Sequence, residues 1–231
     1  MRLIKPKFWV NTNIISILLF PLSIITYLIN IISKSYPKKN FNIKTICIGN
    51  IYIGGTGKTS LTIELSKIVK NKLKHVIIKK GYYNQIDEVN LLKTYGLVIS
   101  KMDRIKSLKI AEKRKFQLAL LDDGLQQKNI NYDLKIVCFN SEEGYGNGFL
   151  LPAGPLRESL NEIKNYDLAF LIGERKNTKL YSKIKYIKKN IEIFEANYQA
   201  INLKELNRNR EYLMFCGIGN PNEFKKTLLK N

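Results

Sequence analysis

Residues 45–69 read TICIGNIYIGGTGKTSLTIELSKIV, and the order of residue types in this stretch decides the fold. An apolar, β-branched run enters a glycine-rich turn, and a Lys-Thr pair then opens a helical pattern. Successive N–H groups at Gly54, Gly55, Thr56 and Gly57 can form a phosphate nest at the helix N-terminus, with Lys58 reaching the β/γ-phosphates and Thr59 holding Mg2+. The segment running from Ile53 to Ser60 is therefore the candidate ATP-binding loop. The pattern G-x-x-x-x-G-K-[ST] asks for glycine at position 52, where this chain has Tyr52, so the match is to the GGTGKT core in its strand-to-helix setting.

Outward from this loop the chain alternates short apolar runs with helical stretches, which predicts an α/β protein with a mostly parallel sheet of the P-loop kind. Strands are expected at residues 43–49, 76–79, 97–100, 118–122, 135–140, 168–172, 191–194 and 212–216. Helices are expected at 58–72, 104–113 and about 222–229. The run 118–122 ends in Asp122 and Asp123, where a P-loop enzyme places the acidic residue that completes Mg2+ coordination. Residues 141–158 (SEEGYGNGFLLPAGPLRE) are rich in Gly and Pro and read as a functional loop.

No residue from Phe8 to Ser33 is charged, and residues 14–33 (IISILLFPLSIITYLINIIS) are long enough to cross a bilayer at ~1.5 Å per residue. Ser16, Ser23, Thr26, Asn30 and Ser33 fall in one stripe of the helical wheel, a pattern that suits a helix lying in a membrane interface. Pro21 would kink a spanning helix, and Arg2, Lys5 and Lys7 on one side and Lys34, Lys38 and Lys39 on the other give no clean orientation. No small-residue cleavage site follows, so the segment is expected to stay attached; the alternative is a buried core helix. Residues 1–40 are thus a membrane-associating unit and 41–231 a P-loop domain.

The 231 residues are 45% hydrophobic and 25% charged, too apolar for a disordered chain. Their formal charge of +20 implies an anionic partner, a phosphorylated ligand, nucleic acid or acidic membrane, although heavy use of Lys is partly a compositional habit. Cys47, Cys138 and Cys216 form no disulfide framework, and a single histidine, His75, argues against a His-based metal site or a Ser-His-Asp triad. A membrane-recruited switch ATPase would carry a signature lysine where this chain has Ile53. A nucleic-acid-binding NTPase would account for the charge but leave the apolar segment without a role, and no aromatic-basic module is present.

Several blocks in order resemble the tetraacyldisaccharide 4'-kinases of lipid A biosynthesis: Phe8-Trp9, IGNIYIGGTGKTS (48–60), KGYYNQIDEVNLL (80–92), DDGLQ (122–126), GYGNGFLLPAGPLRES (144–159) and FCGIGNPNEF (215–224). The family's own P-loop lacks the first glycine. The resemblance implies transfer of the ATP γ-phosphoryl group to the 4'-hydroxyl of an acylated glucosamine disaccharide 1-phosphate, with Mg2+, on the cytoplasmic face of the inner membrane. No obligate protein partner is expected. By the same resemblance Lys58, Asp87 and Glu88 are catalytic, with Asp87 taking the proton from the sugar hydroxyl. Thr59, Asp122 and Asp123 would serve the metal, and Lys80, Arg104, Gln126, Arg157 and Glu158 the lipid substrate.

Departures from the family pattern are Lys80 in place of arginine before Gly-Tyr and Gln127 in place of histidine after DDGLQ. The family continues past the point where this chain ends, with an Asp-His motif whose histidine partners the catalytic aspartate. The chain is therefore expected to be either a fragment or a shortened enzyme that must activate Asp87 differently, with apolar surface exposed near Phe215 and Phe224.

Overall fold

The computed structural model describes residues 5–82, 86–200, 210–216 and 221–229; Arg2 and positions 217–220 of the last motif lie outside them. Apolar runs of four to seven residues, bounded by turn chemistry, pair side by side into a single sheet. In chain order the strands are β1 (Lys44–Gly49), β2 (His75–Lys80), β3 (Val98–Lys101), β4 (Leu118–Asp122), β5 (Leu134–Asn140), β6 (Leu168–Ile172) and β7 (Glu192–Ala196). They form a 7-stranded sheet in the order β3-β2-β4-β1-β5-β6-β7, every pair parallel.

The helices are α1 (Ile14–Lys34), α2 (Lys58–Val69), α3 (Ile86–Lys93), α4 (Arg104–Lys113), α5 (Thr178–Ile187) and α6 (Pro221–Leu229). Central strands are covered on both faces, which is why Val76, Ile77 and Ile78, or Ala119, Leu120 and Leu121, are all fully buried in succession. Because the strands are parallel, the C-terminal ends of β1, β2, β4 and β5 converge on one edge, where such sheets bind ligands. Register sets Ile48 of β1 and Lys79 of β2 on either side of Asp122 in β4.

The expected elements at 104–113, 118–122 and 168–172 form with those bounds, and most others shift by one to three residues. Two helices went unread. In α5, Leu180 and Ile184 are buried one turn apart and Asn177 caps the N-terminus through Leu180 N–H at 2.9 Å, signals that were present in the sequence. The start of α3 holds the Asp87-Glu88 pair. The strand expected at 212–216 does not form: β7 is the last strand among the described residues, and the apolar side chains of Leu213 and Phe215 are 90% and 85% exposed. A strand needs a ladder to join, which apolar composition alone does not supply. Phe224, on α6, is half-buried.

Helix α1 is inverted with respect to a soluble protein. Its N-terminus is closed by a capping box, in which Ser16 N–H donates to Asn13 Oδ1 and Asn13 N–H to Ser16 Oγ. Ser16 and Ser23 are buried, and Thr26, Asn30 and Ser33 partly so, while Ile14, Ile17, Leu18, Phe20, Ile24, Ile25, Leu28 and Ile32 stand exposed. The polar stripe faces the protein body, and the apolar faces point outward. The alternative of a buried core helix is thereby excluded, since only 11% of its apolar window is buried.

Candidate active site

The turn after β1 is shaped by backbone conformations that side chains resist. Gly57 caps α2 with φ +75°, and a Cβ there would lie 2.7 Å from Ile172 Cδ1; Gly54 has φ +144°. Asn50 ties the turn internally by donating to Tyr52 O at 2.6 Å, and Asn140 Nδ2, from the end of β5, donates to Gly55 O at 3.3 Å. Thr56 is buried with its hydroxyl unpartnered, whereas Gly55 and Ser60 are exposed and Ile53 is half-buried. An orphaned buried hydroxyl and a run of turn amides at a helix N-terminus make a cradle for anionic oxygens.

Asp122 sits at the end of β4 with no exposure. Its Oδ2 accepts from Thr59 Oγ1 at 3.1 Å and from Lys79 Nζ at 2.6 Å, while its Oδ1 has no partner although buried. Lys79 also pairs with Glu88 in the first turn of α3, so a buried ammonium joins β2, β4 and α3 at the sheet edge. Burial alone would lower the Lys79 pKa, but Asp122 and Glu88 outweigh it and raise it above its ordinary value.

Asp123, the next residue, adopts φ +57° and turns toward two cations. Arg157 NH2 donates to its Oδ1 at 2.9 Å, and Lys58 Nζ lies 3.8 Å from the same oxygen. Burial pushes its pKa up, but Lys58, Arg157 and Arg104 prevail and hold it at about 2. The unpartnered Asp122 Oδ1 beside the Thr59 hydroxyl fits a hard divalent cation with oxygen ligands. No cluster of three His, Cys, Asp or Glu residues occurs among the described residues, so such an ion would rely on these two groups, phosphate oxygens and water.

The loop at 141–158 folds back over the turn. Ile53 N–H donates to Pro155 O, Arg157 N–H to Ile51 O, both at 2.8 Å, and Tyr52 bridges Leu156. Arg157 thereby reaches Asp123 and also bonds the carbonyl and side chain of Asn50. Gln126 donates to the same Asn50 carbonyl at 2.7 Å.

Two residues expected at the substrate are buried and bonded within the protein. Arg104 is 7% exposed and lies beside the end of β4, donating to the carbonyls of Asp122 and Asp123 and to Gln127 Oε1. Glu158 is 1% exposed, with its carboxylate accepting from Tyr166 OH at 2.7 Å and Lys128 at 2.8 Å. Both are charged groups whose burial is compensated by partners distant in sequence. Lys80 is partly exposed at the end of β2, its ammonium 4.9 Å over the Tyr82 ring. Asp87 is exposed beside Glu88. His75 lies at the opposite end of β2, bonded to Ser66 Oγ at 2.7 Å, and takes no part in this corner.

Sequence reading missed Lys79, Asn50 and Lys5. Lys5 Nζ lies over the Tyr52 ring, 4.9 Å from its centroid, and pairs with Glu143 above Gly54. The signal for Lys79 was a lysine inside a strand otherwise buried on both faces.

Parallel strands converging on a glycine-rich turn, a Lys-Thr pair at a helix N-terminus and a strand-end aspartate facing them define a P-loop phosphate-binding protein. Residues 15–231 match the family model described as LpxK, tetraacyldisaccharide-1-P 4'-kinase, and the chain belongs to that family. It is 47% identical over 236 residues to the tetraacyldisaccharide 4'-kinase of Pelagibacter ubique, covering 100% of this chain and 75% of that protein. The enzyme of the same name from Rickettsia canadensis is 34% identical over 247 residues, covering 99% and 74%. Among solved structures, LpxK from Aquifex aeolicus in complex with ATP superposes with a TM-score of 0.61 at 20% identity, covering 80% of this chain and 82% of that one, a likeness of fold.

Proposed function

We propose that the chain transfers the γ-phosphoryl group of ATP to the 4'-hydroxyl of a tetraacyldisaccharide 1-phosphate, yielding lipid IVA in lipid A biosynthesis. The observation that carries this reading is the phosphate cradle facing the Asp122–Thr59 corner in a chain of this family. Turn amides at Gly54, Gly55, Thr56 and Gly57, with Lys58, bind and orient the nucleotide phosphates. Thr59 and Asp122 would hold Mg2+, which when bound draws charge from the β- and γ-oxygens.

Lys58 and Arg157, both turned on Asp123, supply fixed positive charge beside the transferring group. Asp87 accepts the 4'-hydroxyl proton as the sugar oxygen bonds to phosphorus and the bond to the leaving ADP oxygen breaks. Glu88, tied to Lys79, fixes the first turn of α3 on which Asp87 stands. Lys80 and Gln126 would contact the acceptor.

The acylated acceptor stays in the bilayer, so the enzyme must come to it. The outward Ile and Leu side chains of α1 enter the lipid, and Lys7, Lys38 and Lys39 near its ends meet anionic headgroups on the cytoplasmic face of the inner membrane. Incubating the chain with ATP and the acceptor in mixed micelles tests the reading. ATP consumption that matches formation of a bisphosphorylated lipid, and that vanishes with a 4'-deoxy acceptor, is expected. ATP hydrolysis indifferent to the acceptor would overturn it in favour of a nucleotide-dependent switch.

A further inference from the structure

The inward stripe of α1 does more than hide polar groups. Ser16, Ser23 and Asn30 recur at seven-residue spacing, two helical turns, and so lie on one face. Ser16 closes the helix's own N-terminus, but the other two bond to the loop that delivers Arg157. Ser23 Oγ donates to Leu150 O at 2.8 Å and accepts from Ala153 N–H at 3.2 Å, completing the turn that those residues make. Asn30 Nδ2 donates to Arg157 O at 2.9 Å. Arg157 is therefore pinned on both sides of its Cα: its N–H to Ile51 at the foot of the phosphate turn, its carbonyl to the apolar helix. Around these bonds, Trp9 Nε1 donates to Pro152 O at 3.0 Å and Phe20 meets Phe149 edge-on at 5.3 Å.

We infer that Ser23 and Asn30 are positioning residues for the active-site Arg157, so that α1 shapes the catalytic loop with one face while meeting lipid with the other. The inference rests on the kinase reading above. Lipid sharpens it physically: with the outer faces of α1 in an apolar phase, an amide on the inner stripe finds no water to replace the Arg157 carbonyl. The bond that orients the arginine is then the one the helix cannot relinquish without leaving a polar group unsatisfied.

The test compares wild type with Ser23→Ala, Asn30→Leu and Asn30→Gln in the full chain. Readouts are acceptor turnover and KM for ATP in mixed micelles, flotation with phosphatidylethanolamine/phosphatidylglycerol vesicles, and hydrogen exchange across residues 147–157. For Asn30→Leu the expected result is an about tenfold fall in kcat, the scale of one lost hydrogen bond. Its ATP KM stays within about twofold, flotation is undiminished and exchange in 147–157 is faster; Asn30→Gln, which restores a donor, recovers most of the rate. Wild-type turnover and unchanged exchange in both Ser23→Ala and Asn30→Leu would overturn the inference and leave α1 an anchor only. Loss of ATP binding in both would also overturn it, because the stripe would then support the fold rather than Arg157. If wild type itself transfers no phosphate, the kinase reading fails, and exchange at 147–157 still decides whether the stripe orders the loop.

Discussion

Replacing Lys79 with methionine keeps the unbranched side chain to within one atom of its length and removes its charge from between two carboxylates. The cost is set by the less exposed partner. Asp122 has no exposure, and with Lys79 gone its Oδ2 keeps only the Thr59 hydroxyl at 3.1 Å while Oδ1 remains unpartnered. Stripping one member from a buried ion pair costs about 3–5 kcal/mol, because the survivor is left as an uncompensated charge. Glu88, half exposed, adds under ~1 kcal/mol. For a domain of this size the sum lowers Tm by roughly 6–24 °C.

Thermal unfolding followed by circular dichroism in metal-free detergent buffer at pH 7 measures the effect. Lys79→Met with Asp122→Asn removes both charges together and recovers most of the loss, giving strong coupling in a double-mutant cycle. The pH dependence has a fixed sign: because the folded-state pKa of Lys79 is raised above its ordinary 10.5, its contribution is complete below that value and disappears as pH climbs through the raised one. A Lys79→Met chain that melts within about 2 °C of wild type, or losses that simply add in the double variant, would refute the reasoning.

Asp87→Asn removes a proton acceptor without touching the phosphate turn, so turnover falls by about 10²–10⁴-fold while ATP affinity, read by isothermal titration, changes little; equal loss of ATP affinity would remove Asp87 as the base. Asp123, lowered from 3.8 to about 2, contributes stability that is complete above the ordinary carboxylate range and is lost as pH falls from ~4 through ~2. Its partial exposure keeps that contribution below about 2 kcal/mol, and acid titration of unfolding should show the slope disappear in Asp123→Asn. On the outer face of α1, Leu18→Lys with Leu28→Lys places two charges among lipid-facing residues at roughly 3 kcal/mol each at full depth, so vesicle flotation should fall steeply while ATP binding holds.

The phosphate turn was legible because its chemistry is local: a strand, glycines that tolerate positive φ and a helix start lie within one stretch of chain. Asp122 was legible for the same reason, as a charge at the end of an apolar run. Lys79 was not, because its buried partner Asp122 is brought abreast by the β2–β4 register, a pairing between segments far apart in sequence. Arg104 and Glu158 were assigned to substrate by resemblance alone, and their burial was not legible because the carbonyls, tyrosine and lysine that bury them come from other elements. Periodicity gave the stripe on α1 its correct members but not its direction, since a wheel separates faces without saying which one meets the protein.

The most direct test of the kinase account is transfer of label from γ-labelled ATP to tetraacyldisaccharide 1-phosphate in mixed micelles, with Lys58→Ala beside the 231-residue chain. The account predicts label in the lipid at the 4'-position, falling by at least about 10²-fold when the Lys58 charge is removed from the phosphate turn. Lipid that stays unlabelled while the chain binds ATP would contradict it.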